Sequence, residues 1–195
     1  MSKSRDPSRL TLGTFKDSGQ LVRVRRKKVG NDGDICGYIE AVGKRWTVIR
    51  VVTDNVYWDG FELLRTKHIT KARELPAALT EYITRALATH VDVASFPDLS
   101  PEADTEEILR AVGNASSLAC LYIEKDDPDV CFLGRIVRFD HKWFELLQIR
   151  PNGTWKPEGT YFNYSEITRV QIGDRYNEGL AKFGDPCPDE EAPES

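Results

Sequence analysis

Catalysis needs nucleophiles, metal ligands or proton carriers brought together, and this chain is poor in all three. Its four cysteines, Cys36, Cys120, Cys131 and Cys187, form no CxxC pair, and its only histidines are His68, His90 and His141. Tetrahedral zinc is held by closely spaced ligand pairs, so four free thiols and no metal site are expected. Asp140 and His141 place a carboxylate beside a base, but neighbours on a turn point apart and no nucleophile accompanies them. There is no Gly-rich phosphate loop, no HExxH and no GxSxG. The expectation is a non-enzyme with no catalytic residue and no cofactor.

Binding chemistry is better represented. Residues 1–28 hold nine Lys/Arg against two Asp, a local +7 in a chain of net charge −4, which leaves −11 for the rest. Phosphate neutralisation dominates nucleic-acid affinity, so an acidic chain attracts a polyanion only where its cations are concentrated. Arg23-Val-Arg-Arg-Lys-Lys28 is the one such run, and it makes Arg23, Arg25 and Arg26 candidates for RNA or partner binding. The plainer reading is a strand edge guarded by cations. Trp58 and Trp155, close to loops, are candidate interaction anchors, because tryptophan is enriched at binding hot spots; covering the end of a core is their other reading.

These residues are carried by 195 positions, 40% hydrophobic and 30% charged, the balance of a globular chain. No run approaches the roughly 18 apolar residues of a spanning helix. The first residues lack the apolar stretch of a secretion signal, so a cytoplasmic location without a membrane partner is expected.

An internal repeat organises the chain. With Leu21 laid over Leu118, 38 consecutive positions stay in register and eight are identical, including Gly37 on Gly134, Trp46 on Trp143 and Trp58 on Trp155. After a short insertion, Leu64 and Ile69-Thr70 match Phe162 and Ile167-Thr168. Alternating or β-branched runs predict strands over 21–26, 35–42, 46–52, 61–65 and 69–73, and again over 131–139, 143–150, 161–164 and 167–172. Five short strands in about 55 residues suit a small bent barrel, since closure removes unprotected sheet edges. Helical spacing runs through Leu75, Ala78, Leu79, Tyr82, Ile83, Ala86 and Leu87, and more weakly through Ile172, Tyr176, Leu180 and Phe183. A short helix is predicted from 101 or 104 to 112, with Glu106 and Glu107 at its positive end.

Gly134-Arg-Ile-Val-Arg-Phe-Asp140-His-Lys-Trp143-Phe144-Glu-Leu146 resembles the first motif of Sm-like (LSm) proteins, and Gly37-Tyr-Ile-Glu-Ala-Val-Gly43-Lys-Arg-Trp46-Thr47-Val48 fits the same frame. Leu64-Arg65-Thr66-Lys67-His68-Ile69 and Phe162-Asn163-Tyr164-Ser-Glu-Ile167 resemble the second motif. The resemblance covers about 50 residues in each copy, and SH3-like barrels share such glycine spacings. It implies a mainly β protein with flanking helices, two similar five-stranded Sm-like or SH3-like barrels in one chain. RNA-binding members stack a base and read it with an Asn of motif one and an Arg-Gly of motif two. Here Thr47 and Phe144 stand at the Asn positions, Arg65 keeps the Arg, and Thr66 and Tyr164 replace the Gly. Arg65, Lys67, His68, Thr47, Phe144 and Tyr164 are therefore candidate RNA- or partner-binding residues, with base reading put in doubt by the lost Asn; Phe144 and Tyr164 have faces able to stack or to pack.

The expected layout is a basic arm over 1–20, a first barrel with its following helix over 21–90 and a linker over 91–100. A short helix, second barrel and C-terminal helix follow over 101–183, and a disordered acidic tail over 184–195. The expected function is a non-catalytic interaction, scaffold or regulatory protein that binds a protein partner or self-associates through strand edges. RNA binding with weak sequence specificity is the alternative.

Overall fold

The computed structural model describes residues 7–27, 29, 34–53, 56–90, 96–125 and 127–188. Within them the chain is mainly β, with ten antiparallel strands and four helices. The expected basic arm contains a helix, α1 (Pro7–Ser18). Proline fits a first helical turn, and Gly19 at φ +61° ends it, with Gly19 N–H donating to Lys16 O and Gln20 N–H to Phe15 O. Leu12, 1% exposed, and Phe15 turn one face of α1 onto the sheet. Five strands follow: β1 (Leu21–Arg26), β2 (Ile35–Val42), β3 (Trp46–Val52), β4 (Trp58–Arg65) and β5 (Ile69–Glu74), then α2 (Ala77–Leu87). A single 3-10 turn, Thr66–His68, joins β4 to β5.

The second half runs α3 (Thr105–Ala115), β6 (Ala119–Tyr122), β7 (Cys131–Phe139), β8 (Trp143–Gln148), β9 (Thr160–Asn163), β10 (Arg169–Ile172) and α4 (Arg175–Phe183). Asp104 caps α3 in a reciprocal box with Glu107, and Asp174 caps α4 through the N–H groups of Tyr176 and Asn177. Register repeats between the halves. Val22 faces Gly37 as Ala119 faces Gly134, and Trp46 faces Arg65 as Trp143 faces Asn163. Val24 faces Ala72 as Leu121 faces Val170. Even the irregularity between Ile39 and Ala41 recurs between Ile136 and Arg138.

Two similar five-stranded barrels in one chain were expected, and the structure differs in that its sheet is open. All ten strands form one open sheet in the order β5-β1-β2-β3-β4-β10-β6-β7-β8-β9. The reason lies in the edges. The outer side of β4, which closure would have to satisfy within its own half, pairs instead with β10, from Phe61 on Ile172 to Leu64 on Arg169. One core follows the joint: Trp46, Val48, Phe61 and Leu63 pack with Ile108, Leu109 and Val112 of α3 and with Phe144, Leu146, Phe162 and Val170. The expected linker and tail are partly packed too. Phe96 and Leu99 lie against this core, and Cys187 is buried. Residues 91–95 and 189–195 of those segments, and Lys28 of the basic run, lie outside the described residues. Among the described residues no helix is long and apolar enough to cross a membrane.

The repeated glycines have a steric cause. A Cβ on Gly37 would overlap the carbonyl oxygen of Arg50, and one on Gly134 that of Leu147, because β3 and β8 approach the two glycines that closely. Gly13, inside α1, has open space around its missing Cβ. Urea unfolding should therefore find Gly37→Ala and Gly134→Ala each destabilised by about 1–3 kcal/mol, whereas Gly13→Ala should gain about 0.5–1 kcal/mol.

Candidate functional site

Two kinds of place hold the chain's polar chemistry: the joint between the halves, and the two outer strands of the sheet. At the joint, Glu62 of β4 and Arg169 of β10 are 4% and 9% exposed. They meet in a two-pronged contact, Arg169 Nε donating to Glu62 Oε2 at 2.6 Å and Nη2 to Oε1. The guanidinium also lies 4.3 Å from the Tyr122 ring centre, and the Tyr122 hydroxyl donates to Gln171. Burial pushes the Glu62 carboxyl above the usual carboxylate range, against the pull of Arg169. Burial likewise works against the Arg169 charge, but contact with Glu62 outweighs it and keeps the guanidinium protonated.

A second buried pair ties β1 to the segment after β6. Arg26 donates to both oxygens of Glu124, at 2.7 and 2.9 Å, and Thr168 Oγ1 donates to Glu124 Oε2 at 2.6 Å. Burial alone would push the Glu124 carboxyl up; the hydrogen bonds from Arg26 and Thr168 prevail and hold it below its usual range. Next to this pair sits His68, 9% exposed. Burial, with the charges of Lys67, Lys125 and Arg26, pulls its pKa down to about 4 while Glu124 pulls the other way.

The candidates read from the sequence fall into three groups. Some serve the joint or the core: Arg26, as above, and Arg65, whose Nε and Nη2 donate to the carbonyls of Ile167 and Tyr164 at 2.8 Å while the guanidinium stacks on Trp46. Burial, followed by the charge of Arg45, lowers the Arg65 pKa to about 10. Thr47 is fully buried and shares a 3.0 Å hydrogen bond with Thr66, and Phe144 is fully buried between Phe162 and Tyr164, with no face open to a base. Tyr164, half-buried, donates its hydroxyl to Asp140 O. The tryptophans form a second group, both half-buried. Arg50 lies 3.9 Å over Trp58, and Trp155 donates Nε1–H to Asp185 O. Arg23, Arg25 and Lys67 make the third group, at or near the surface, with Arg25 bound to Asp34.

Residues that single-strand reasoning passed over matter as much. Glu62 is a charge inside an apolar run, Phe61-Glu-Leu-Leu, a signal that a buried partner was required, whereas Arg169 alternates with Val170 and Ile172 and reads as an ordinary surface position. On the outer strand β5, Lys71 and Arg73 are exposed; on the other outer strand, β9, Tyr161 is 58% exposed and meets Trp143 edge-on. A cleft of about 360 Å3 between α1, β2 and residues 96–101 has Trp46 and Val48 in its lining and its charged groups, Lys16, Asp17, Glu40 and Asp98, in solvent. No disulfide joins the four cysteines. Among the described residues no three His, Cys, Asp or Glu side chains are placed to hold a metal ion. Compared with known family models, curated proteins and solved structures, the chain matches none.

Removing one member of a buried ion pair strands the other. Arg169→Met should cost about 3–5 kcal/mol in denaturant unfolding, and adding Glu62→Leu should recover part of the loss. His68 gives a pH dependence of known sign. Its folded-state pKa of about 4 lies below the ordinary 6.5, so between these values the unfolded chain binds more protons. Its contribution is whole above pH 6.5 and is lost as pH falls through about 4. Melting curves of His68→Gln should show a shallower decline over that window than the parent.

Proposed function

We propose that the chain is a non-catalytic interaction module that holds protein partners by adding strands to the two open edges of its sheet. One observation carries this reading. The joint shows a strand of β4 type pairing with a strand of β10 type. The strands that repeat those positions, β9 and β5, stand at the two ends of the ten-stranded order, where among the described residues each has a strand neighbour on one side only. Exposed backbone N–H and C=O groups on an outer strand template pairing with another chain, and the contact depends on backbone more than on sequence. In the Sm-like reading, each half is one small-barrel unit and the joint is a contact between units made within a single chain. Head-to-tail association of copies, β9 on β5, belongs to the same class of contact.

The RNA-binding alternative draws on Arg23, Arg25 and Lys67, which remain accessible. It has lost support from Phe144 and Thr47, which are buried, and from Arg26 and Arg65, whose donors are committed inside the protein. A photo-crosslinking residue placed at Ala72 on β5 or Tyr161 on β9, in the protein's own cells, discriminates the readings. Protein adducts at either edge, absent when the probe sits at Gln171 in the joint, are expected. No adduct at either edge, or adducts that nuclease removes, would overturn the proposal.

A further inference from the structure

Resting on the edge-strand reading, we infer that the β5 edge is built for an extended acidic segment of another protein, added as an antiparallel strand. The first observation is a set of opposed like charges. Across the β1·β5 ladder, Arg23 stands directly opposite Arg73 and Arg25 opposite Lys71, so four cations share one face of two strands. Like charges directly opposite one another destabilise a strand pair. Among the described residues a single carboxylate answers them: Asp34 takes Arg25 at 2.5 Å and Arg73 at 3.5 Å. Lys71 makes no ion pair among the described residues and is exposed.

The second observation is that the protein contains a finished version of the same edge. Because Val24 faces Ala72 as Leu121 faces Val170, Arg169 repeats the place of Lys71 and Gln171 that of Arg73. In the finished version β4 lies against β10, Glu62 stands opposite Gln171, and its carboxylate binds Arg169. A strand laid on β5 in that register puts a residue opposite Arg73 and within reach of Lys71, where a carboxylate completes the pattern.

The third observation concerns which strand that is. The chain's own counterpart of β4 is β9, and Thr160 of β9, paired with Leu146 as Glu62 is with Ile49, occupies the Glu62 place. A second copy of this chain therefore brings a hydroxyl where the edge calls for a carboxylate. Cations also keep one β5 edge from pairing with another. A polynucleotide would answer the charges but leave the N–H and C=O groups of β5 unused, whereas an acidic peptide strand answers both.

The test uses the full chain and fluorescent eight-residue peptides read by polarisation: one alternating Thr and Glu, one alternating Thr and Gln, the Glu peptide with a central Pro, and a uridine octanucleotide. The Glu peptide should bind about tenfold or more tighter than the Gln peptide, the worth of one charge-assisted hydrogen bond. It should weaken with salt and lose a similar factor to the central Pro, which removes a ladder donor. Lys71→Glu with Arg73→Glu should abolish that binding and admit a Thr-Lys peptide instead. Lys71→Gln with Arg73→Gln should abolish it without reversing the charge, and serves if the first variant does not fold. Equal binding of the Glu and Gln peptides overturns the acidic specificity while leaving the edge reading intact. Equal binding with and without Pro overturns strand addition, and no peptide binding overturns both. An octanucleotide that binds as tightly as the Glu peptide, or displaces it, assigns the cations to nucleic acid and overturns the proposal.

Discussion

Two five-stranded sheets standing apart would expose four strand edges; joining β4 to β10 leaves two. That joint is the constraint from which most other features of the structure follow. A ladder of backbone hydrogen bonds satisfies both inner edges, but it also takes a carboxylate and a guanidinium out of water. Neither charge is tolerable alone at that depth, and their two-pronged contact makes each the solvent of the other. Arg26 with Glu124 repeats the arrangement on the flank, and Arg65 adds two donors to carbonyls of the opposite half. The core follows the same line, with α3 packed over strands from both halves.

Buried ion pairs are poor sources of stability compared with apolar groups of the same shape. Their use here is in register. Slipping the β4·β10 ladder by one residue would turn Glu62 and Arg169 to opposite faces, leaving buried charges unmet. The same physics explains why the halves share topology but differ in chemistry at equivalent positions. Arg169 and Glu62 belong to an edge with a partner, while Lys71 and Thr160 belong to edges in solvent. A lysine remains hydrated in that position and keeps a hydrophilic edge, which the partnered edge had no need to do.

The candidate site read from the sequence alone divides along the same line. Arg23 and Arg25 were legible because a basic run in an acidic chain needs no three-dimensional knowledge, and their strand was legible from its alternation. Arg26 sits in the same run and reads identically, yet its guanidinium is inside, bound to a residue 98 positions away. Arg65 misleads in a similar way: its place in the motif resembles a ligand-binding arginine, and its donors close the joint. Lys71 and Arg73 escaped notice because a lysine and an arginine on a short strand look like ordinary surface until the strand opposite proves to carry two more arginines.

What the sequence determined by itself was what contiguous residues encode. The alternation of β1, the Gly and Trp landmarks, the internal repeat and the places of α2, α3 and α4 were readable, because each depends on neighbours within a turn or a hairpin. The helical faces were readable only in part, since Ile83 and Leu87 are buried but Leu79, Tyr82, Tyr176 and Phe183 stand exposed. α1 was missed because its net positive charge masked a face of only a few apolar residues, Leu12 and Phe15 among them. Only the tertiary structure decided whether the two halves would close separately or share a sheet. That choice rests on pairs such as Glu62 with Arg169, 107 positions apart, and no local pattern of apolar and polar residues records which distant edge a strand will meet.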